Sequence, residues 1–319
     1  MNGTLIGYYE RVNDRIPTMS ATTLRAHLKD GIRFQELSER LTTIEAMMAR
    51  MLVDPASVTM TGTVEQREEE IAQRIDEART AVDRCDKPNI ILTADALGRC
   101  GFPRLFYSRD EPVVKLLENP PMLRQDGFRI SGTSRGSSIV RAELRRNLAL
   151  GQEVIDLWQD GLLVAIGPGD YNLLCWARPE NLNRGLFLRN FVLAEVTLNF
   201  VRLVSEIFKF AEPTPTKIAL SLQLEQMTVN GHPCILSTGV DNAYRGAYGM
   251  QRNAPGPNIS VSFETPFDSL DEGIVAFELL AKMYGCFGFE YDLIPYVQED
   301  KDAKRITSKS LLIDARPVG

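Results

Sequence analysis

The stretch from Phe191 to Phe210 constrains this chain more than any other. As a helix it runs for about five turns. Its polar residues Glu195, Asn199, Arg202, Glu206 and Lys209 step by 4, 3, 4 and 3, drawing one narrow stripe along an otherwise apolar cylinder. Such a helix has to be wrapped by other elements, and a sheet lying across it is the expected partner. The same polar residues keep the segment from being a membrane span.

The surrounding sequence supplies that sheet. "NIILTADA" from Asn89 is a short apolar run of the kind that forms a core strand. "RAELRRNLALGQEVIDLWQDGLLVAIG" alternates and turns at "QDG", which predicts a strand meander. "YNLLCWA", "KIALSLQLEQM", "HPCILSTG" and "NISVSFE" read as further strands. "DEPVVKLLEN" is a short helix stopped by "NPPM", and "DEGIVAFELLAKMYG" a longer one ending at Gly285. Strand and helix do not alternate steadily, as a Rossmann fold requires. The expectation is an α+β domain over 88–298, with a mainly antiparallel sheet and packed helices. The stretch "VQEDKDAKRITSKS" is polar and nearly charge-balanced, so 299–319 is expected to be a solvated tail.

Ahead of that domain, 20–87 reads as a helical hairpin. Phe34, Leu37, Leu41, Ile44, Met48 and Met51 recur at 3, 4, 3, 4 and 3. Thr63 and Gln66 have capping-box spacing, and Ile71, Ile75, Ala78 and Val82 then step by 4, 3 and 4. Two such seams predict helices that zip together with "REEE" at 67–70 facing water, either as a spacer or as a coiled coil joining copies into a homo-oligomer. Residues 1–19 read as a strand over Leu5–Val12 and a turn at "NDRIP", the closing piece of a preceding domain.

The net charge of −6 argues against a dominant nucleic-acid surface on this chain. Five cysteines, widely spaced and without a CxxC or Cys/His cluster, imply neither a disulfide framework nor a structural zinc. No cofactor is expected, and a cytoplasmic location with no membrane partner fits best.

"YYERVNDRIPTMS" resembles the closing strand of the Schlafen AlbA-type DNA-binding domain of bacterial proteins, through Tyr8, Tyr9, Arg11 and Met19. "DGFRIS" at 126–131, "DLWQDGLLVAI" at 156–166, and the long helix followed by "PTKIALSLQLEQM" resemble the region downstream of that domain. The resemblance implies a regulatory or defence protein that reaches nucleic acid through a preceding domain. The acidic and lysine residues and the Gly-Gly turn that mark the front of the family have no counterpart here. Nuclease or nucleotide-binding activity is therefore carried over to no residue, and no catalytic residue is assigned.

Three stretches are candidate sites. The loop "DNAYRGAYGMQRNAPGPN" (241–258) gathers Asp241, Asn242, Tyr244, Arg245, Tyr248 and Arg252, which suit stacking and bidentate hydrogen bonding to a ligand or a partner. Arg135, Arg141, Arg145 and Arg146, with Arg129 nearby, offer phosphate contacts or form a solvated face. Gly132 to Gly136 matches G-x-S-x-G, the nucleophile elbow of α/β-hydrolases, with Ser134 as nucleophile and His232 as the downstream histidine. The segment before it is not the apolar strand an elbow follows, so a glycine-rich loop is the competing reading, and a non-enzymatic region the favoured one.

Overall fold

The computed structural model describes the strand pair Tyr8–Tyr9 and Thr18–Met19, and residues 64–98, 100–103, 105, 112–123, 127–131, 145–150, 152–176, 185–238, 250–300 and 303–307. The chain forms two units, 1–61 and 62–319. In the first, β1 (Tyr8–Tyr9) pairs antiparallel with β2 (Thr18–Met19), Tyr8 opposite Met19. The chain itself thus supplies a partner for the opening strand. The rest of that strand, His27, and the first helix of the expected hairpin with its seam from Phe34 to Met51 lie outside the described residues.

The second unit is α+β. Its centre is a six-stranded antiparallel sheet built from β3 (Asn89–Leu97), β4 (Arg145–Leu150), β5 (Glu153–Trp158), β6 (Leu162–Pro168), β8 (Lys217–Glu225) and β13 (Ile259–Pro266). The strands lie in the order β13-β8-β3-β6-β5-β4. β3 and β6 are central and buried on both faces; β6 is continuously apolar, and β3 is apolar apart from the buried Asn89, Thr93 and Asp95. β8 is covered on one face only and alternates, turning Ile218, Leu220, Leu222 and Leu224 into the core. The meander turns at Gly161, whose φ of +89° is the left-handed conformation glycine adopts without a steric cost. A side chain there would also come within 2.9 Å of Ala96.

One face of the sheet packs on helices α3 (Asn190–Ile207) and α4 (Glu272–Cys286), while α1 (Val64–Ala81) and α2 (Pro112–Glu118) precede them in the chain. Fourteen of the eighteen residues of α3 are buried, Glu195 and Asn199 included, so the first half of the polar stripe is covered, while Arg202 and Glu206 are partly exposed. Around it pack α2, α4 and a three-stranded sheet. In that sheet β11 (Ile235–Ser237) lies between β7 (Phe187–Arg189), its parallel neighbour, and β12 (Gln251–Asn253), its antiparallel one. Asp271 caps α4 by accepting from the Ile274 N–H at 3.0 Å. No helix among the described residues is long and apolar enough to cross a membrane.

The opposite face takes α1. Ile75, Ala78 and Val82, with Ile71 at the margin, pack on Ile91, Val154, Trp158, Leu162, Val164 and Ile166. The seam expected to zip against another helix therefore meets the sheet. The physical reason is the composition of β3, β5 and β6: a sheet apolar on both faces has to be covered on both, and α1 is the cover. The division at 61/62 puts α1 with the sheet, ahead of the boundary expected at 87. Nor does the "REEE" turn face water throughout, since the Arg67 guanidinium turns inward to Asp95 at 2.5 Å.

Arg84 locks this arrangement just after α1. It is fully buried and donates to the Asn89 side chain at 2.6 Å, the Pro88 carbonyl at 2.5 Å, the Asp170 carboxylate at 2.9 Å, and the Gln152 side chain. Asp170 also accounts for a departure from expectation: "YNLLCWA" is not a strand. The Asp170 side chain accepts from the Asn172 N–H at 3.0 Å and its carbonyl from the Cys175 N–H at 2.8 Å, coiling 171–176 into successive turns.

The expected tail is also partly structured. β14 (Val297–Asp300) and β15 (Ala303–Ile306) form a hairpin in which Val297 faces Ile306. Ile306 is buried against α4, where Gly273 lets the β15 backbone approach so closely that a Cβ would stand 2.5 Å from the Ile306 carbonyl. Lys304 lies 3.9 Å from the Tyr291 ring centroid and Arg305 pairs with Asp271 at 3.4 Å, so charged residues that read as solvated anchor the hairpin.

Ile75→Ala is expected to lower unfolding stability by about 2–4 kcal/mol without altering association, because its contacts lie within one chain. A variant that changed sedimentation but left the denaturation midpoint in place would restore the seam to a helix–helix interface. Arg84→Met should cost about 3 kcal/mol, since it takes the donor from the buried Asn89 Oδ1 and from the Asp170 Oδ2; urea titration measures both.

Candidate functional site

A cavity of about 380 Å3 opens where the chain beyond β3 meets the chain beyond α3. Past Leu97 the backbone turns at Gly98, and the Phe102 N–H then donates to the Gln159 carbonyl at 2.9 Å, which fixes the segment against the β5–β6 turn. On the other side α3 tightens into a 3-10 turn at Phe208–Phe210. This turn sends Phe208 wholly inward, edge-on to Phe102 with ring centroids 5.5 Å apart, and leaves Phe210 42% exposed. The Glu212 N–H donates to the Gly101 carbonyl at 2.8 Å and clips the two segments together.

Phe102, Pro103, Leu105, Pro112, Val113 and Phe210 form the apolar wall; Lys209 and Glu212 are its charged members. Lys209 is paired with Glu206 at 2.7 Å. A concavity of this size lined by apolar side chains together with charged ones has the form of a small-molecule site. Sequence reasoning passed over it. "GFPRLF" at 101–106 carries neither helical nor strand period, and nothing in the sequence joins it to 209–212.

The thiols of Cys100 and Cys234 are poor nucleophiles. All five cysteines are free, Cys85 and Cys286 on the surface. Burial, with Asp160 and Asp95 adding to it, pushes the Cys100 thiol up to about 12. Burial likewise raises Cys234 to about 11 against a hydrogen bond from the Leu186 backbone.

The carboxylates beside Cys100 belong to a network that ties α1 to the sheet. Arg67 donates to Asp95, to Asp160 at 2.9 Å and to Glu70 at 2.7 Å. Arg74 donates to Asp160 at 2.9 Å while its guanidinium lies 5.2 Å from the Trp158 ring centroid. Burial raises Asp95 above the usual carboxylate range and Arg67 only partly opposes it. Burial acts on Asp160 in the same sense, but Arg74 and Arg67 outweigh it and hold that carboxyl low. Diverging carboxyls can signal acid–base work, yet here each faces a guanidinium, which makes the cluster a clasp. Among the described residues no group of three or more His, Cys, Asp and Glu could hold a metal ion.

Of the expected ligand-binding residues, Asp241, Asn242, Tyr244, Arg245 and Tyr248 lie outside the described residues, as do Ser134, Arg135 and Arg141. Arg252 is exposed on β12 and sits 5.9 Å from the Phe289 ring centroid. Arg145 and Arg146 are the first two residues of β4, opposite Trp158 and Leu157. Arg129 is half-buried and donates to the Pro120 carbonyl and, at 3.4 Å, to the Asn119 side chain. His232 is exposed on the short strand pair of β9 (Thr228–Val229) and β10 (His232–Pro233). Elsewhere Phe128 stands edge-on to both half-exposed Trp176, at 5.4 Å, and Phe191, at 5.8 Å.

The chain matches no family model, and no curated protein or solved structure matches it either.

An unfolded thiol ionises near pH 8.5. Between there and about pH 11 the folded chain, with Cys100 and Cys234 still protonated, holds more protons than the unfolded one. Stability is therefore full below this window and falls as pH rises through it. Denaturation midpoints from pH 7.5 to 10.5 should decline less steeply in Cys100→Ala; an unchanged slope would separate the thiol from the effect.

Proposed function

We propose that this chain is a non-catalytic ligand-sensing and interaction region of a cytoplasmic, DNA-binding regulatory or defence protein of the Schlafen AlbA type that its opening residues resemble. The observation that carries this reading is the cavity walled by Phe102, Leu105, Val113 and Phe210. It is open, lined by apolar rings and two charged side chains, and bounded by the end of α3, the helix around which the second unit is packed, so an occupant there would press on the core. The free thiols support a reducing compartment. Contact with nucleic acid is assigned to a preceding domain, in keeping with the acidic charge of −6.

The assembly part rests on the seam of Phe34, Leu37, Leu41, Ile44, Met48 and Met51, since the α1 seam is covered by the sheet. These residues have the a/d spacing of a helix that finds a partner helix in a second copy.

Indole, titrated into the full chain and followed by NMR, should shift resonances of Phe102, Val113 and Phe210 saturably. Ala211→Leu, which fills the cavity from a buried wall position, should remove the effect. Absence of saturable binding at millimolar indole would sink the sensing reading. For assembly, light scattering should show a mass above that of one chain, falling in Leu41→Lys; a monomer at high micromolar concentration, unchanged by the substitution, would remove the homo-oligomer.

A further inference from the structure

The chemistry of the cavity wall selects among occupants by charge. Pro103 and Pro112 carry no backbone N–H. The N–H groups of Phe102, Leu105, Ala211 and Glu212 all donate within the fold, to the carbonyls of Gln159, Phe102, Phe208 and Gly101 respectively. These four N–H groups are therefore taken, and an anion placed against them would give up water without finding replacements. The one ammonium, Lys209, already faces Glu206 at 2.7 Å. The carboxylate of Glu212 is exposed, lines the cavity, and makes no ion pair or side-chain hydrogen bond. Among the described lining residues the unpaired charge is thus negative, beneath a wall whose prolines and Phe210 ring suit a flat apolar body. At roughly 30 Å3 per water, the 380 Å3 of the cavity equals about a dozen waters, room for one ring with a short tail.

Resting on the reading of this cavity as a ligand site, we infer that its occupant is a small aromatic or branched apolar amine, with the apolar body against Phe102, Val113 and Phe210 and the ammonium at Glu212. The ring supplies the area removed from water and the ammonium answers the unpaired carboxylate.

Three near-isosteric probes test this on the full chain by NMR titration at low salt: 2-phenylethylamine, 2-phenylethanol and phenylacetate. The amine should bind about threefold to fivefold more tightly than the alcohol, the range an exposed ion pair gives, and phenylacetate most weakly. The advantage of the amine should vanish in Glu212→Gln, which keeps the backbone bond to Gly101, while affinity for the alcohol stays the same. It should also shrink with added salt. Ala211→Leu should abolish binding of all three, marking the cavity as the place. Equal affinities, tighter phenylacetate, or an amine preference that survives Glu212→Gln would overturn the inference and leave the cavity a ligand site. Failure of all three to bind would overturn both.

Discussion

The buried guanidinium of Arg84 is the interaction on which the second unit depends. A charge with no exposure to water is costly unless its donors are matched. Here the matching acceptors come from four separate places: the chain before β3, its first residue Asn89, the turn at Gln152, and the turn at Asp170. Arg84, three residues after the covering helix, therefore ties together the start of β3, the β4–β5 turn and the chain after β6. At the other end of α1, Arg67 and Arg74 hold the β3 terminus and the β5–β6 turn through Asp95 and Asp160. Between these two clasps the apolar seam needs no precise fit to be placed. The charged pairs give position, and the burial of Ile75, Ala78 and Val82 gives the larger share of the stabilisation.

On the inner face α3 plays the opposite part. It is held by enclosure: the polar residues of its first half are buried, with Asn199 donating to the Phe128 carbonyl at 2.9 Å and Thr197 to the Leu193 carbonyl at 2.7 Å. At its end, where the helix tightens at Phe208–Phe210, Phe210 reaches solvent, and there the cavity lies.

The sheet and its helices were legible because their periods are clean. "KIALSLQLE" alternates and "NIILTADA" does not, and the structure gives each the burial its pattern demands. The narrow stripe on α3 announced an enclosed helix, and it is one. What could not be read depends on side-chain chemistry across distance. Nothing in the spacing of Ile71, Ile75, Ala78 and Val82 distinguishes a helix partner from a sheet partner. The turns after Asp170 hide inside an apolar run because one carboxylate, also held by Arg84, overrides it. The cavity was invisible for a related reason: its two walls are remote in sequence, and their residues carry no shared motif. The site residues expected at 241–248 and the elbow serine lie outside the described residues, so the fold neither assembles nor disperses them.

The position of Trp158 beneath α1 gives the molecule a built-in reporter. The chain has two tryptophans. Trp158 is 3% exposed, roofed by α1 with Arg74 over its ring, whereas Trp176 is 50% exposed. Their fluorescence should separate accordingly, a blue-shifted, quencher-shielded emission from the first and a red-shifted, quenchable one from the second. Lifting α1 from the sheet would wet only Trp158. The colour of its light thus records whether the covering helix is seated, independently of whether the rest of the core is intact.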